Sequence, residues 1–174
     1  NSNTPLKVTN WTKWRESVQK NDPDCFILLV HMEDDQQAGV DSMEIGDLVK
    51  DKDALLPITL IDAGLIKKDE HSTTMPLVVL IGCETANLAS YGFGAPDFLI
   101  ETGSAIVLSN FTRIRGKHAG EIVVRLVELL KQHAKNEARF GEVVLKLKQQ
   151  LLAEGNLVSL TLLAHGDADW KIKT

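Results

Sequence analysis

The chain has little of what holds a small secreted protein together, carries a protein into a membrane, or grips nucleic acid. Two cysteines, Cys25 and Cys83, stand in 174 residues. That is too few for a disulfide scaffold, and their spacing is not that of zinc ligands. The longest apolar runs, residues 26–30 and 77–81, are about five residues each, against the ~20 that a spanning helix needs. The first residues lack the layout of a signal peptide, and the chain does not begin with Met. There is no basic excess: 19 Lys and Arg face 24 Asp and Glu, a net charge of −5, which argues against a general nucleic-acid binder. No phosphate-cradling loop of Walker type is present, since Gly92-x-Gly94 lacks the rest of that motif. His71, His118 and His133 have no partners at metal-ligand spacing. A cytoplasmic, reducing setting without membrane, metal or cofactor is therefore expected.

What is present is enough for one core. Apolar residues make up 44% of the chain, interrupted by only 5 Pro and 12 Gly, which excludes disorder as the main state. The size suits a single domain over residues 1–174.

Residues 6–8 (Leu-Lys-Val) have the makings of a short edge strand. Trp11, Trp14 and Val18 recur at helical spacing over residues 11–20, with Thr9 or Asn10 as cap. The cluster 21–24 (Asn-Asp-Pro-Asp) is a turn. Residues 25–30 and 76–81 are continuous apolar runs bounded by turns, which predicts strands buried on both faces. The first is cut short by the polar run 31–35. Residues 36–54 are polar, and 55–61 predict a small hairpin or surface strand. A short helix is expected within 89–102, a strand over 104–108, helices over 120–132 and 136–153, and a fourth strand over 157–164. Alternating strands and helices predict an α/β fold with a mainly parallel sheet. With four good strands, one sheet edge would be bare.

In such a sheet, chemistry gathers beyond the carboxyl ends of the strands. His31 follows the first buried run and Cys83 follows the second. Neighbouring parallel strands lie ~4.8 Å apart, so an imidazole and a thiol would share one rim. A thiolate attacks a carbonyl while an imidazole handles the proton. Gly82 would allow close approach, and the Cys83 amide could receive an oxyanion. Taken singly, a cysteine after a strand is usually a small buried hydrophobe, and a lone histidine is usually a surface residue. Cys25 sits at the far end of its strand and reads as structural. The acidic run Glu33, Asp34, Asp35 could orient His31 or attract a basic substrate, but also suits a solvated turn.

Residues 77–86 (Leu-Val-Val-Leu-Ile-Gly-Cys-Glu-Thr-Ala) resemble the cysteine segment of CHAT domains, the caspase-like (clan CD) cysteine peptidases of prokaryotes. Residues 98–109 resemble that family's helix, Gly-Ala turn and next strand, and residues 162–167 its closing strand with a Gly-Asp ending. Residues 26–31 occupy the place of the strand that delivers the catalytic histidine. The ordered likeness covers residues 11–172. Two positions depart from the pattern: Met32 stands where many relatives have Gly, and Asn110-Phe111-Thr112 replaces an aromatic motif such as Leu-Trp-Pro.

The resemblance implies a three-layer caspase-like fold and a cysteine endopeptidase acting on a protein or peptide substrate. Cys83 would be the nucleophile and His31 its proton-handling partner, with the amides of Cys83 and Met32 as oxyanion donors. Glu33, Glu84, Ser109, Asn110 and Phe111 would lie toward the substrate. The family's first strands would be missing, so the chain would be a partial domain completed or regulated by another domain or subunit, in relatives often one of helical repeats. Two alternatives remain open: a catalytically idle CHAT-like module that binds protein, and an unrelated flavodoxin-like module.

Overall fold

The computed structural model describes residues 6–35, 40–46, 55–68, 71–83, 85, 94–134, 137–167 and 169–171. Helix α1 (Trp11–Asn21) starts where Asn10 accepts the Lys13 N–H at 2.9 Å, a side-chain cap for an otherwise unpaired donor. It ends at Asp22, which takes a left-handed φ of 44°. The Asp22 carboxylate then accepts the hydroxyls of Ser72, at 3.2 Å, and Thr74, at 3.1 Å. These bonds tie the helix end to the segment that leads into the central strand.

Strands β1 (Cys25–Asp35), β2 (Val40–Glu44), β3 (Leu55–Pro57), β4 (Leu77–Gly82), β5 (Ile106–Asn110) and β6 (Leu162–Gly166) form one sheet. Its order is β3-β2-β1-β4-β5-β6. The pairs β1/β4 and β4/β5 are parallel, and the other three are antiparallel. Helices α2 (Ala95–Glu101), α3 (Gly116–His133) and α4 (Phe140–Ala153) complete the α/β layering.

Alternation along the strands separates two cores. Phe26, Leu28, Val30, Val78, Leu80 and Val107 pack with Trp11, Val18 and Leu99 from α1 and α2. Val79, Ile81 and Leu108 pack with Ile122, Leu126, Phe140 and Leu147 from α3 and α4. Strand β4 lies between the two, and each of its aliphatic side chains is at most 3% exposed. Each such burial stabilises the fold by ~1.5–3 kcal/mol, which explains why this stretch is apolar without alternation.

Several expectations need correction. The sheet has six strands among the described residues and is mixed rather than mainly parallel. The polar run after Val30 does not end its strand. It continues β1 to Asp35 as one arm of a hairpin, with His31 opposite Glu44, Met32 opposite Met43 and Glu33 opposite Ser42. Ladder hydrogen bonds hold that arm, so no apolar run announces it. Residues 6–8 are not a strand. Residues 58–60 and 157–161 form short 3-10 turns beside β3 and β6. Helix α3 starts earlier than expected, at Gly116, and α2 is confined to Ala95–Glu101; the expected helical residues 89–93 lie outside the described residues.

Over Cys25–Val30, β1 has β4 on one flank and no strand on the other among the described residues. Ile27 and Leu29 stand 36% and 49% exposed there. A groove of about 650 Å³ runs along this flank, lined by Leu6, Val8, Trp14, Ile27 and Ile45 among others.

Two glycines should respond in opposite ways to alanine. A Cβ on Gly82 would stand 1.9 Å from the Val30 carbonyl oxygen, which is backbone and cannot swing aside. Gly82→Ala should cost roughly 3 kcal/mol or more. Gly120, inside α3, has nothing within 4 Å of such a carbon, so Gly120→Ala should stabilise by ~0.5–1 kcal/mol. Urea unfolding of the two variants checks both signs.

Candidate active site

The parallel ladder of β1 on β4 ends with Val30 opposite Gly82. The next residues on the two strands are His31 and Cys83. Leu29 and Ile81 are in register one step earlier on the α3 side of the sheet. Two residues further along, His31 and Cys83 therefore point to that same side. The Cys83 sulfur confirms the direction, lying 4.0 Å from the carbonyl oxygen of Ile114, a member of the α3-side core. Cys83 is half-buried and His31 exposed, so neither is sealed inside. The two expected groups thus stand on neighbouring strands, His31 within β1 and Cys83 just past the end of β4, with ~4.8 Å between the strand axes.

Beyond Val79 and Leu108, β4 and β5 no longer pair. The Asn110 side chain spans the gap and takes the place of a ladder peptide. Its Oδ1 accepts the Gly82 N–H at 3.0 Å, and its Nδ2 donates to the Gly82 carbonyl at 2.7 Å and to that of Thr112. Thr85 completes the clasp: its hydroxyl donates to the Leu80 carbonyl at 2.9 Å and accepts the Asn110 N–H at 3.1 Å. Both side chains are buried. The turn carrying Cys83 is therefore held from both sides by neutral hydrogen bonds in a dry setting, where each is hard to give up. Asn110 was expected at the substrate wall; its observed contacts are all with this turn and its neighbours. The clue lay in a polar residue at the end of a buried strand, since buried polar groups are nearly always satisfied.

The other expected residues fall in different places. Met32 turns its side chain toward the α1-side core. Glu33 is exposed on the His31 side of β1. Phe111 is 52% exposed, with its N–H on the Thr161 carbonyl at 3.1 Å. Ser109 is fully buried and is not brought to the rim; its Oγ lies 2.8 Å from His165 Nε2 on β6. Glu84 lies outside the described residues. Among the described residues no group of His, Cys, Asp and Glu could hold a metal ion, and no helix is long and apolar enough to cross a membrane.

Two titratable groups depart from their usual range. Desolvation, aided by the neighbouring Asp24 carboxylate, pushes the Cys25 thiol up to about 11, even though part of that residue's surface reaches solvent. Crowding of the sulfur itself matters here more than the exposure of the residue as a whole, and at neutral pH Cys25 remains a thiol. His165 is lowered, first by desolvation and against the pull of Asp97.

No protein-family model matches this chain, and no curated protein is significantly similar to it.

Two stability measurements follow. Asn110→Ala leaves the Gly82 N–H and carbonyl without their partner and should cost ~2–4 kcal/mol, read as a lower urea midpoint. His165 binds its proton less readily folded than unfolded, so the folded state is favoured once pH exceeds the unfolded value and loses that advantage as pH falls below ~6.5. Thermal unfolding between pH 7.5 and 5 should show this loss, and His165→Gln should flatten that part of the profile.

Proposed function

We propose that this chain is a caspase-like cysteine endopeptidase domain of the CHAT type, with Cys83 as nucleophile and His31 as its proton-handling partner. The observation that carries the proposal is the register of β1 and β4, which leaves the two residues adjacent, on one side of the sheet and open to solvent. The resemblance of residues 77–86, 98–109 and 162–167 to that family supports the same reading.

The chemistry needs little else. The Cys83 sulfur, as thiolate, attacks the scissile carbonyl, and the developing oxyanion is met by backbone amides, those of Cys83 and Met32 being the candidates. The imidazolium of His31 gives its proton to the leaving amine, and the first product departs. A water molecule, deprotonated by His31, then cleaves the thioester, and the thiolate is restored. Cys25 takes no part, because it lies at the opposite end of β1 and holds its proton.

Activity in this reading depends on a further domain or subunit. The flank of β1 over Cys25–Val30, unpaired among the described residues and with Ile27 and Leu29 exposed, supports an incomplete sheet.

The test is labelling with a peptide-based thiol-reactive probe in a Cys25→Ser background. Saturable labelling of Cys83 is expected, slowed by ~10²-fold or more in His31→Ala. Slow, non-saturable labelling that His31→Ala leaves unchanged would overturn the proposal and favour a protein-binding module. Full peptidase activity of the isolated chain would remove the requirement for a partner.

A further inference from the structure

Strand β6 (Leu162–Gly166) ends the sheet. One flank is laddered antiparallel to β5, and among the described residues no strand pairs with the other. Peptide groups on that flank turn their N–H and C=O outward, which makes the edge a template for a further strand. Natural sheets blunt such edges with brevity, charge or proline. The opposite edge fits that rule, since β3 has three residues and ends in Pro57. Strand β6 does not. Residues 155–166 contain no Lys, Arg, Asp, Glu or Pro. In this they match β4 and β5, which are likewise uncharged and lie between paired neighbours. Strand β6 thus has the composition of an interior strand while standing at an edge.

The side chains beside the edge are uncovered as well. Leu163 on β6 is 39% exposed, and Leu157 and Leu160, in the turn that leads into the strand, are 68% and 57% exposed. Phe111, whose N–H is bonded to the Thr161 carbonyl, adds a ring that is 52% exposed. Scattered exposed leucines are ordinary, but four large apolar side chains beside one open edge mark an interaction surface.

We infer that this edge pairs with a second copy of the chain, the two β6 strands lying antiparallel about a two-fold axis so that one sheet runs through both copies. The unpaired peptide groups specify a strand as the occupant. A two-fold contact brings the same surface from both sides, and antiparallel pairing has that symmetry, so the edge is its own complement. Charge favours the same choice. Each copy has a net charge of −5, which opposes self-association wherever acids face each other; along β6 and its leading turn there is no acid to do so. The one titratable group on the strand, His165, is engaged with Ser109 at 2.8 Å. Strand β5 separates this edge from β4, so the inference uses neither Cys83 nor His31 and does not rest on the peptidase reading.

The experiment is sedimentation velocity of the whole chain over about a hundredfold range of concentration, with reductant present so that the exposed Cys25 forms no disulfide between copies. A monomer–dimer equilibrium with a Kd of ~100 μM or tighter is expected. Leu163→Lys sets like charges against each other across the axis and should weaken the dimer about tenfold or more, with the urea midpoint unchanged because the side chain is exposed. Leu160→Lys should act in the same direction, and it decides the matter if Leu163→Lys does not fold. Amide exchange at β6 should slow as concentration rises. A monomer at every concentration overturns the inference and leaves the edge to a different protein. A dimer that neither lysine weakens overturns it too, since its contact would lie elsewhere.

Discussion

The close passage of β4 past β1 at Gly82 is the contact on which the site depends. At this point a side chain on β4 would run into the Val30 carbonyl, so only glycine allows the two backbones to stay in register to the last residue before the rim. Because register is kept up to Gly82, the residues that follow emerge side by side. A one-residue slip would send one of the two to the opposite face.

That contact is supported from the other flank by side chains instead of a ladder. Strands β4 and β5 stop pairing beyond Val79 and Leu108. The cost of unpaired peptide groups there is met by Asn110 and Thr85. The arrangement is polar in composition yet buried and hydrogen-bonded. A buried network of this kind rigidifies what it holds, because each member is expensive to orphan. The turn carrying Cys83 is thus fixed at its base, and Cys83 itself is half-buried.

The two cysteines show how position sorts chemistry. Cys25 and Cys83 begin and follow neighbouring parallel strands, so they stand at opposite ends of the sheet. At the amino end, desolvation and Asp24 keep Cys25 protonated. At the carboxyl end, Cys83 and His31 follow the registered pair Gly82 and Val30 on neighbouring strands. The same pattern separates the histidines. His165 is drawn into a pair with buried Ser109 on the α2 side of the sheet, whereas His31 stays at the open rim.

The α/β class, the fully buried β4, α1 with Asn10 as one of two candidate caps, and the cores of α3 and α4 were legible in the residues, because periodicity and capping are local; β1, expected to be buried on both faces, has Ile27 and Leu29 exposed on one of them. That residues 25–30 and 77–82, which His31 and Cys83 follow, are strands was legible too, and the structure pairs these strands in parallel. What local pattern could not convey was anything held by partners distant in sequence. The extension of β1 through Met32 and Glu33 exists because β2 pairs with it. Asn110 is an internal clasp rather than a wall because β4 and β5 splay beside it. Glu44 faces His31 only through hairpin register, with no apolar signal to mark it. Hydrophobic burial writes itself into sequence as a repeating pattern, while a polar contact between strands depends on which two backbones happen to lie side by side.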